Sequence, residues 1–202
     1  TVRSVAGDRE AGVFEYMLSL PVSLFAWFWG KMLGRFVVVF LPVFLAMFAA
    51  GAWGLGKDIE IPWTQVIYYT GFLLSLAWCF LGIGMLISTL ARTSDVATGI
   101  AFIIWLGLLM FMDLILLGLL IRQGMPSETV IAFALFNPMQ VFRTAAMMLF
   151  DPQLVLLGQS AYVILDNFGK TGYILWALVY PVGLGTVCAW LGYHLFKGSD
   201  LP

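Results

Sequence analysis

Residues 7–31 of the chain read GDREAGVFEYMLSLPVSLFAWFWGK, an amphipathic stretch set directly before a long membrane-spanning sequence. The periodicity of residues 9–20 predicts a helix with one apolar face. Asp8 suits the N-cap position of that helix, and Glu10 suits its first turn. Pro21 ends it, because the residue before a proline is disfavoured in the helical region. The apolar face carries Val13, Phe14, Met17, Leu18 and Leu20.

A second, shorter helix is predicted after this break, capped by Ser23. It carries Trp27 and Trp29, and Lys31 and Arg35 follow closely. Tryptophans beside cations are typical of a membrane boundary. Two interpretations of the whole stretch remain open. It is either a surface-lying helix that anchors the next span, or a docking helix that a soluble partner receives on the cytoplasmic side.

The composition places the chain among integral membrane proteins. Hydrophobic residues make up 62% of it, charged residues only 10%, and the mean hydropathy is +0.98. A net charge of −1 gives no electrostatic reason to expect nucleic acid as a partner. Cys79 and Cys188 both lie in apolar runs and define no disulfide framework. The chain starts at Thr1 without an initiator methionine, so we expect sequence before it.

Long apolar runs predict an all-α polytopic membrane protein with four transmembrane helices in this chain. Two of the predicted spans contain a proline, Pro42 in the first and Pro181 in the last, and kinks are expected there. Gly30 and Gly34 have the spacing that lets two helices approach closely. The predicted spans cover residues 36–56, 65–90, 96–121 and 171–195.

Residues 122–170 differ from the spans, because their apolar pieces are short and separated by capping residues and prolines. They predict helices at the outer membrane interface. One helix opens at Asn137 and Pro138. Its predicted apolar face carries Val141, Phe142, Ala145 and Leu149, and its predicted polar face carries Gln140, Arg143 and Thr144. Further helix starts are predicted at Pro126 to Glu128 and at Asp151 to Pro152.

Several of these motifs together resemble type 2 ABC-transporter permeases. The pattern Asp8-Arg9-Glu10-x-Gly12-x-x-Glu15-x-x-Leu18-Ser19-x-Pro21, followed by Gly30-Lys31, is similar to the cytoplasmic coupling-helix segment of that family. The run GIGMLISTL at residues 82–90 is similar to the family's fourth span. The ending GYHLFK at residues 192–197 is similar to its usual exit from the sixth span.

The resemblance implies a permease of the bacterial inner membrane that acts with other chains. A cytoplasmic ABC ATPase subunit, which holds ATP and Mg, would dock on the coupling-helix segment, and the permease would pair with a second copy of itself among the membrane lipids. The full protein would have six spans, and its C-terminus would be cytoplasmic, with residues 1–31 as the coupling-helix segment and 32–202 as the transmembrane domain. The implied docking residues are Asp8, Arg9, Glu10, Gly12, Phe14, Glu15, Leu18 and Pro21.

One segment resembles a narrower branch of the family. Residues 136–143, FNPMQVFR, are similar to the extracytoplasmic segment of permeases that serve nitrous oxide reductase maturation. This resemblance implies a periplasmic accessory protein as a partner, with Asn137, Gln140 and Arg143 facing it, and a role in copper or sulfur supply to that enzyme.

Few residues suggest chemistry within the chain itself. The sequence has no glycine-rich phosphate loop ending in Gly-Lys-Ser/Thr, so ATP hydrolysis would belong to a partner chain, and we expect no enzyme activity and no bound cofactor or metal here. Asp113 is the ionisable residue deep inside a predicted span. It is a candidate for a substrate contact or gate, or for a hydrogen bond to a neighbouring helix.

Two other functions remain open. A generic exporter for a lipid, drug or glycan would share the coupling helix but should line its dimer interface with a continuous cavity. A secondary transporter or channel would need no ATPase, and should show paired broken helices or several buried ionisable residues.

Overall fold

The chain is represented by a computed structural model that describes residues 2–13, 22–122, 134–150 and 159–198; within these ranges the side chains of 111–113, 115–122 and 159–168 are not described. The regular elements of the described ranges are all helical, which confirms the predicted all-α class. The helices are α1 (Ser4–Glu10), α2 (Leu24–Leu55), α3 (Trp63–Leu90), α4 (Ser94–Arg122), α5 (Pro138–Phe150) and α6 (Gln159–Gly198).

Among the helices of the described residues, three are long and apolar enough to cross a membrane, which confirms a multi-pass membrane protein. They are α2, α3 and the part of α6 from Gly169–Gly198. Within the part of the chain that the structure describes, Ser94–Met110 of α4 is a shorter apolar helix. The count of four spans therefore stays a prediction.

Helix α2 corrects one boundary of the sequence analysis. The short helix predicted after Ser23 and the span predicted over 36–56 form one continuous helix of 32 residues. Ser23 caps it as predicted, because its hydroxyl oxygen accepts a hydrogen bond from the Ala26 N–H at 3.2 Å. The helix continues because an apolar surrounding favours unbroken backbone hydrogen bonding. Pro42 lies inside it.

Helix α6 is interrupted at Gly169, with φ 64° and ψ 161°. Only glycine adopts this conformation readily, since a side chain there would be strained. The second part of α6 starts at this break and contains the whole of the span predicted over 171–195. Pro181 also lies inside α6. The non-helical backbone angles within α6 are those of Gly169.

The chain forms two compact units. Unit 1 contains Thr1–Ile59, Ala77–Ile103 and Gly183–Pro202, and unit 2 contains Glu60–Leu76 and Ile104–Val182. The core of unit 1 is a cluster of buried side chains from α1, α2, α3 and α6: Val5, Phe28, Met32, Leu81, Met85, Ala189 and Phe196. The division predicted from the sequence, with a coupling-helix segment over residues 1–31 and a transmembrane domain over 32–202, stays a prediction.

Within unit 1, α3 and α6 approach each other backbone to backbone at Gly82 and Gly185. A β-carbon added to Gly185 would lie 2.7 Å from the Cα of Cys79 and 2.7 Å from the carbonyl oxygen of Trp78. No real side chain fits at such distances, so glycine is what permits this contact. The indole N–H of Trp78 also donates to the Thr186 hydroxyl at 3.0 Å.

Unit 2 is organised around α5. Asn137 caps this helix as predicted, accepting at its side-chain oxygen from the Met139 N–H at 3.0 Å. The face prediction holds for Val141 and Ala145, which are buried against Phe72 and Tyr173. It is wrong for Thr144, which is only 4% exposed. Thr144 is three positions from Val141 on the helix and therefore shares its buried face.

Candidate functional site

The candidate site is the segment at the start of the chain, and of the helix predicted over residues 9–20 the structure describes only residues 9–13. Helix α1 runs from Ser4 to Glu10, so Asp8 lies in its last turn and is not an N-cap. The helix ends because Gly12 adopts φ +66°, a left-handed conformation that glycine tolerates and that typically terminates helices. The N–H of Gly12 donates to the Arg9 carbonyl at 3.3 Å.

Helix α1 has no capping side chain of its own, and Ser88 of α3 supplies that function. The Ser88 hydroxyl oxygen accepts from the N–H groups of Val5 at 2.9 Å and Ala6 at 3.1 Å. The first N–H groups of a helix have no partner within the helix, so this contact satisfies two of them. Ser88 is fully buried. No sequence pattern predicted this contact, and its only signal was a hydroxyl near the end of an apolar span.

Lys31 of α2 binds groups from both the first and the last turn of α1. Its ammonium group donates to the Ser4 carbonyl oxygen at 2.9 Å and pairs with the Asp8 carboxylate. It also lies 4.6 Å from the centre of the Trp27 ring. The Lys31 and Asp8 side chains are 21% and 25% exposed, so solvent and salt screen the pair only in part.

Arg3 links the start of α1 to α4. Its Nε donates to the Thr98 hydroxyl at 3.1 Å, and its guanidinium lies 3.5 Å from Asp95. The side chains of this ion pair are 65% and 90% exposed, so solvent weakens the attraction and we expect it to contribute little to stability. Helix α1 is thereby attached to α2, α3 and α4.

The chain becomes exposed at the end of α1. Residues 10–13 are all exposed, whereas Asp8 and Arg9 are partly buried. Of the predicted docking residues that the structure describes, Glu10 and Gly12 are therefore accessible to another protein, and Asp8 is engaged with Lys31. The remaining predicted docking residues, Phe14, Glu15, Leu18 and Pro21, lie outside the described residues.

The predicted outer residues have different surroundings from one another. Asn137 is buried, and its amide N–H donates to the Leu108 carbonyl at 2.7 Å. Gln140 is half-buried and Arg143 is exposed. The side chain of Asp113 lies outside the described part of the structure.

Among the residues that the structure describes, no three or more His, Cys, Asp or Glu side chains are grouped so that they could hold a metal ion. Cys79 and Cys188 form no disulfide.

The chain matches the family described as "ABC-2 family transporter protein" over residues 1–201. No curated protein gives a significant match to it. The family match covers α1, the three apolar helices and unit 2, and it agrees with the spans found in the structure. The chain therefore belongs to the ABC-2 transporter family, and it is a multi-pass membrane permease subunit of an ABC transporter.

Proposed function

We propose that residues 8–21 dock a separate cytoplasmic ATPase subunit, and that the chain converts ATP-driven movement of that subunit into transport or a conformational signal across the membrane. The observation that carries this proposal is the anchoring of α1. Its buried side is fixed to Ser88 and Lys31, while residues 10–13 face outward. A segment that is fixed on one side and exposed on the other is suited to receive a partner and to pass on its displacement.

A conformational change requires a differential contact between two states. The ATP-bound and ATP-free forms of the ATPase would press differently on residues 8–21, because closure of the ATPases changes the position of their docking surfaces. ATP and Mg belong to the ATPase in this scheme, and the permease binds no cofactor and carries out no catalysis. Two permease chains and two ATPase chains would form the complex in the bacterial inner membrane, with both ends of the chain cytoplasmic.

The narrower proposal concerns the face opposite the ATPase. The similarity of residues 136–143 to permeases of nitrous oxide reductase maturation supports a periplasmic accessory partner and a role in copper or sulfur supply to that enzyme. Arg143 is exposed on α5 and is the candidate contact. Exposure at this position is compatible with a partner. A generic exporter for a lipid, drug or glycan is the alternative, and an ATPase-independent transporter or channel is a more distant one.

Replacing Glu15 by arginine tests the docking proposal. We expect Glu15→Arg to remove the ATPase subunit from the full-length permease purified in mild detergent from its native membrane, because a reversed charge in a docked surface meets unfavourable partners. Glu60→Arg is the matched control, since Glu60 is exposed and lies outside residues 8–21. It should retain the ATPase as wild type does.

The same purification separates the alternatives. If wild type retains no ATPase, the proposed function is wrong and an ATPase-independent transporter becomes the better account. If a periplasmic protein of nitrous oxide reductase assembly also co-purifies, the narrower proposal gains support. If the ATPase is retained with no such protein, a generic exporter is favoured.

A further inference from the structure

We propose that Lys31 is a positioning residue that makes α1 and the first turns of α2 move as one body, so that displacement of the docking segment is delivered to α2. This proposal rests on the proposed function of residues 8–21. It adds the route by which a push on that segment reaches a membrane-spanning helix.

The backbone alone is a poor route for such a displacement. The chain leaves α1 through Gly12, where an added β-carbon would meet nothing within 4 Å. A glycine in open space can change its backbone angles at little cost. A push delivered to the exposed end of α1 could therefore be absorbed at Gly12 before it reaches α2, unless α1 and α2 are also joined directly.

Lys31 supplies that contact through two groups of α1. Its ammonium binds the Ser4 carbonyl oxygen and the Asp8 carboxylate, which come together on one face of α1 because the carbonyl of a helical residue points towards the residue four positions later. Two bonds from one ammonium hold this face of α1 against α2. Charge-assisted hydrogen bonds of this kind are stronger than neutral ones.

The α2 end of this contact is itself firmly held within unit 1. Phe28 and Met32, on either side of Lys31 in the chain, are both fully buried in the core of the unit. The Trp27 ring, over which the ammonium lies, stacks on Phe196 of α6 with centroids 5.5 Å apart. Since α2 continues unbroken to Leu55, a displacement of this end is passed to a whole spanning helix.

Removal of the Lys31 charge would leave α1 attached elsewhere. Ser88 still binds the first N–H groups of α1, and Arg3 still contacts Asp95 and Thr98. We therefore expect a Lys31 variant to fold and to keep the docking surface. What it should lose is the polar contact that fixes α1 against α2, which leaves the apolar packing of Val5 beside Phe28 and Met32 as the remaining link between them.

The test measures that distance by pulsed electron paramagnetic resonance. Genetically encoded spin labels replace Ala11 and Leu33, which are both exposed and are not among the implied docking residues. Labels of this kind leave the two native cysteines in place. The full-length permease is measured in nanodiscs alone, and then with its co-purified ATPase in the ATP-free and vanadate-trapped states. Wild type should give one narrow distance that is the same in all three samples.

In Lys31→Met, the population of molecules with a second, separated distance between the labels should be roughly tenfold or more that of wild type, as expected for the loss of a charge-assisted hydrogen bond. Vanadate trapping should then shift the distance, because α1 moves without α2. Asp8→Asn, which keeps the shape of the side chain, should act in the same direction and replaces Lys31→Met if that variant does not fold. Lys31→Arg should restore the narrow distance.

Lys57→Met is the matched control. Lys57 lies just after the other end of α2, with its ammonium 5.7 Å from the centre of the Trp53 ring, so it resembles Lys31 without holding α1. Its distances should equal those of wild type. A single narrow distance in both Lys31→Met and Asp8→Asn, in all three samples, would overturn the proposal. Absence of an ATPase from wild type would instead refute the proposed function, while the permease alone still tests whether Lys31 holds α1.

Discussion

Gly185→Ala is expected to lower the free energy of unfolding by about 2 kcal/mol, the cost typical of a methyl group forced into a filled interior. The added β-carbon would lie 2.7 Å from backbone atoms of Cys79 and Trp78. Backbone atoms cannot rotate away as a flexible side chain can, so α3 and α6 must separate. The contacts that depend on their close approach, including the hydrogen bond from Trp78 to Thr186, would then weaken.

The measurement is thermal unfolding of the purified protein in detergent, where a loss of this size lowers the midpoint by roughly 4 to 8 °C. Gly183→Ala is the matched control on the same helix, because an added β-carbon there meets nothing within 4 Å. It should leave the midpoint unchanged or raise it slightly, since alanine favours the helix over glycine. Equal effects of the two substitutions would contradict the close packing of α3 and α6.

Phe28→Ala should have a larger effect, about 3 kcal/mol, which is at the lower end for removal of a buried aromatic side chain. Phe28 is fully buried among α1, α2, α3 and α6, and its ring contacts those of Tyr193 and Phe196 at centroid distances of 5.8 and 6.4 Å. Removal of the ring loses these packing contacts and leaves a void that the helices around it cannot fill completely.

Phe48→Ala is the comparison within the same helix. Phe48 is 67% exposed, so its ring packs on little of the chain and its loss should cost far less. Thermal unfolding of both variants checks the difference, and the midpoint for Phe28→Ala should fall by roughly 6 to 12 °C. A midpoint for Phe48→Ala as low as that for Phe28→Ala would show that the core of unit 1 is not where the structure places it.

Local signals in the sequence correctly predicted two helix caps. Ser23 and Asn137 cap α2 and α5 as expected, because an N-cap depends on a side chain and on the N–H groups two or three residues later. The apolar runs likewise predicted where α3 lies, at Trp63–Leu90 against an expected 65–90. These features depend on neighbouring residues, which the sequence shows directly.

Contacts between distant residues were not predictable in the same way. The start of α1 depends on Ser88, which is 83 positions from Val5 in the chain, and no local pattern indicates that contact. The periodicity of residues 9–20 favoured a single helix over that range. Gly12 instead has a left-handed backbone conformation, and α1 ends just before Gly12. The predicted N-cap Asp8 instead pairs with Lys31.

The glycines show the same limit. Gly30 and Gly34 have the spacing of a helix contact, yet each faces open space in this chain. Gly82 and Gly185 make the close contact, and nothing distinguishes them by pattern among 21 glycines. Close approach of two helices depends on which residues face each other, and this requires the fold.

Docking of an ATPase on residues 8–21 is the central claim, and site-specific photo-crosslinking from Glu10 in native membranes tests it most directly. Glu10 is exposed at the end of α1, so a photoreactive residue placed there should form a covalent product with the ATPase subunit. The same residue placed at Lys57, exposed just beyond the other end of α2, should form none. A product with the ATPase from Lys57 and none from Glu10 would contradict the docking site.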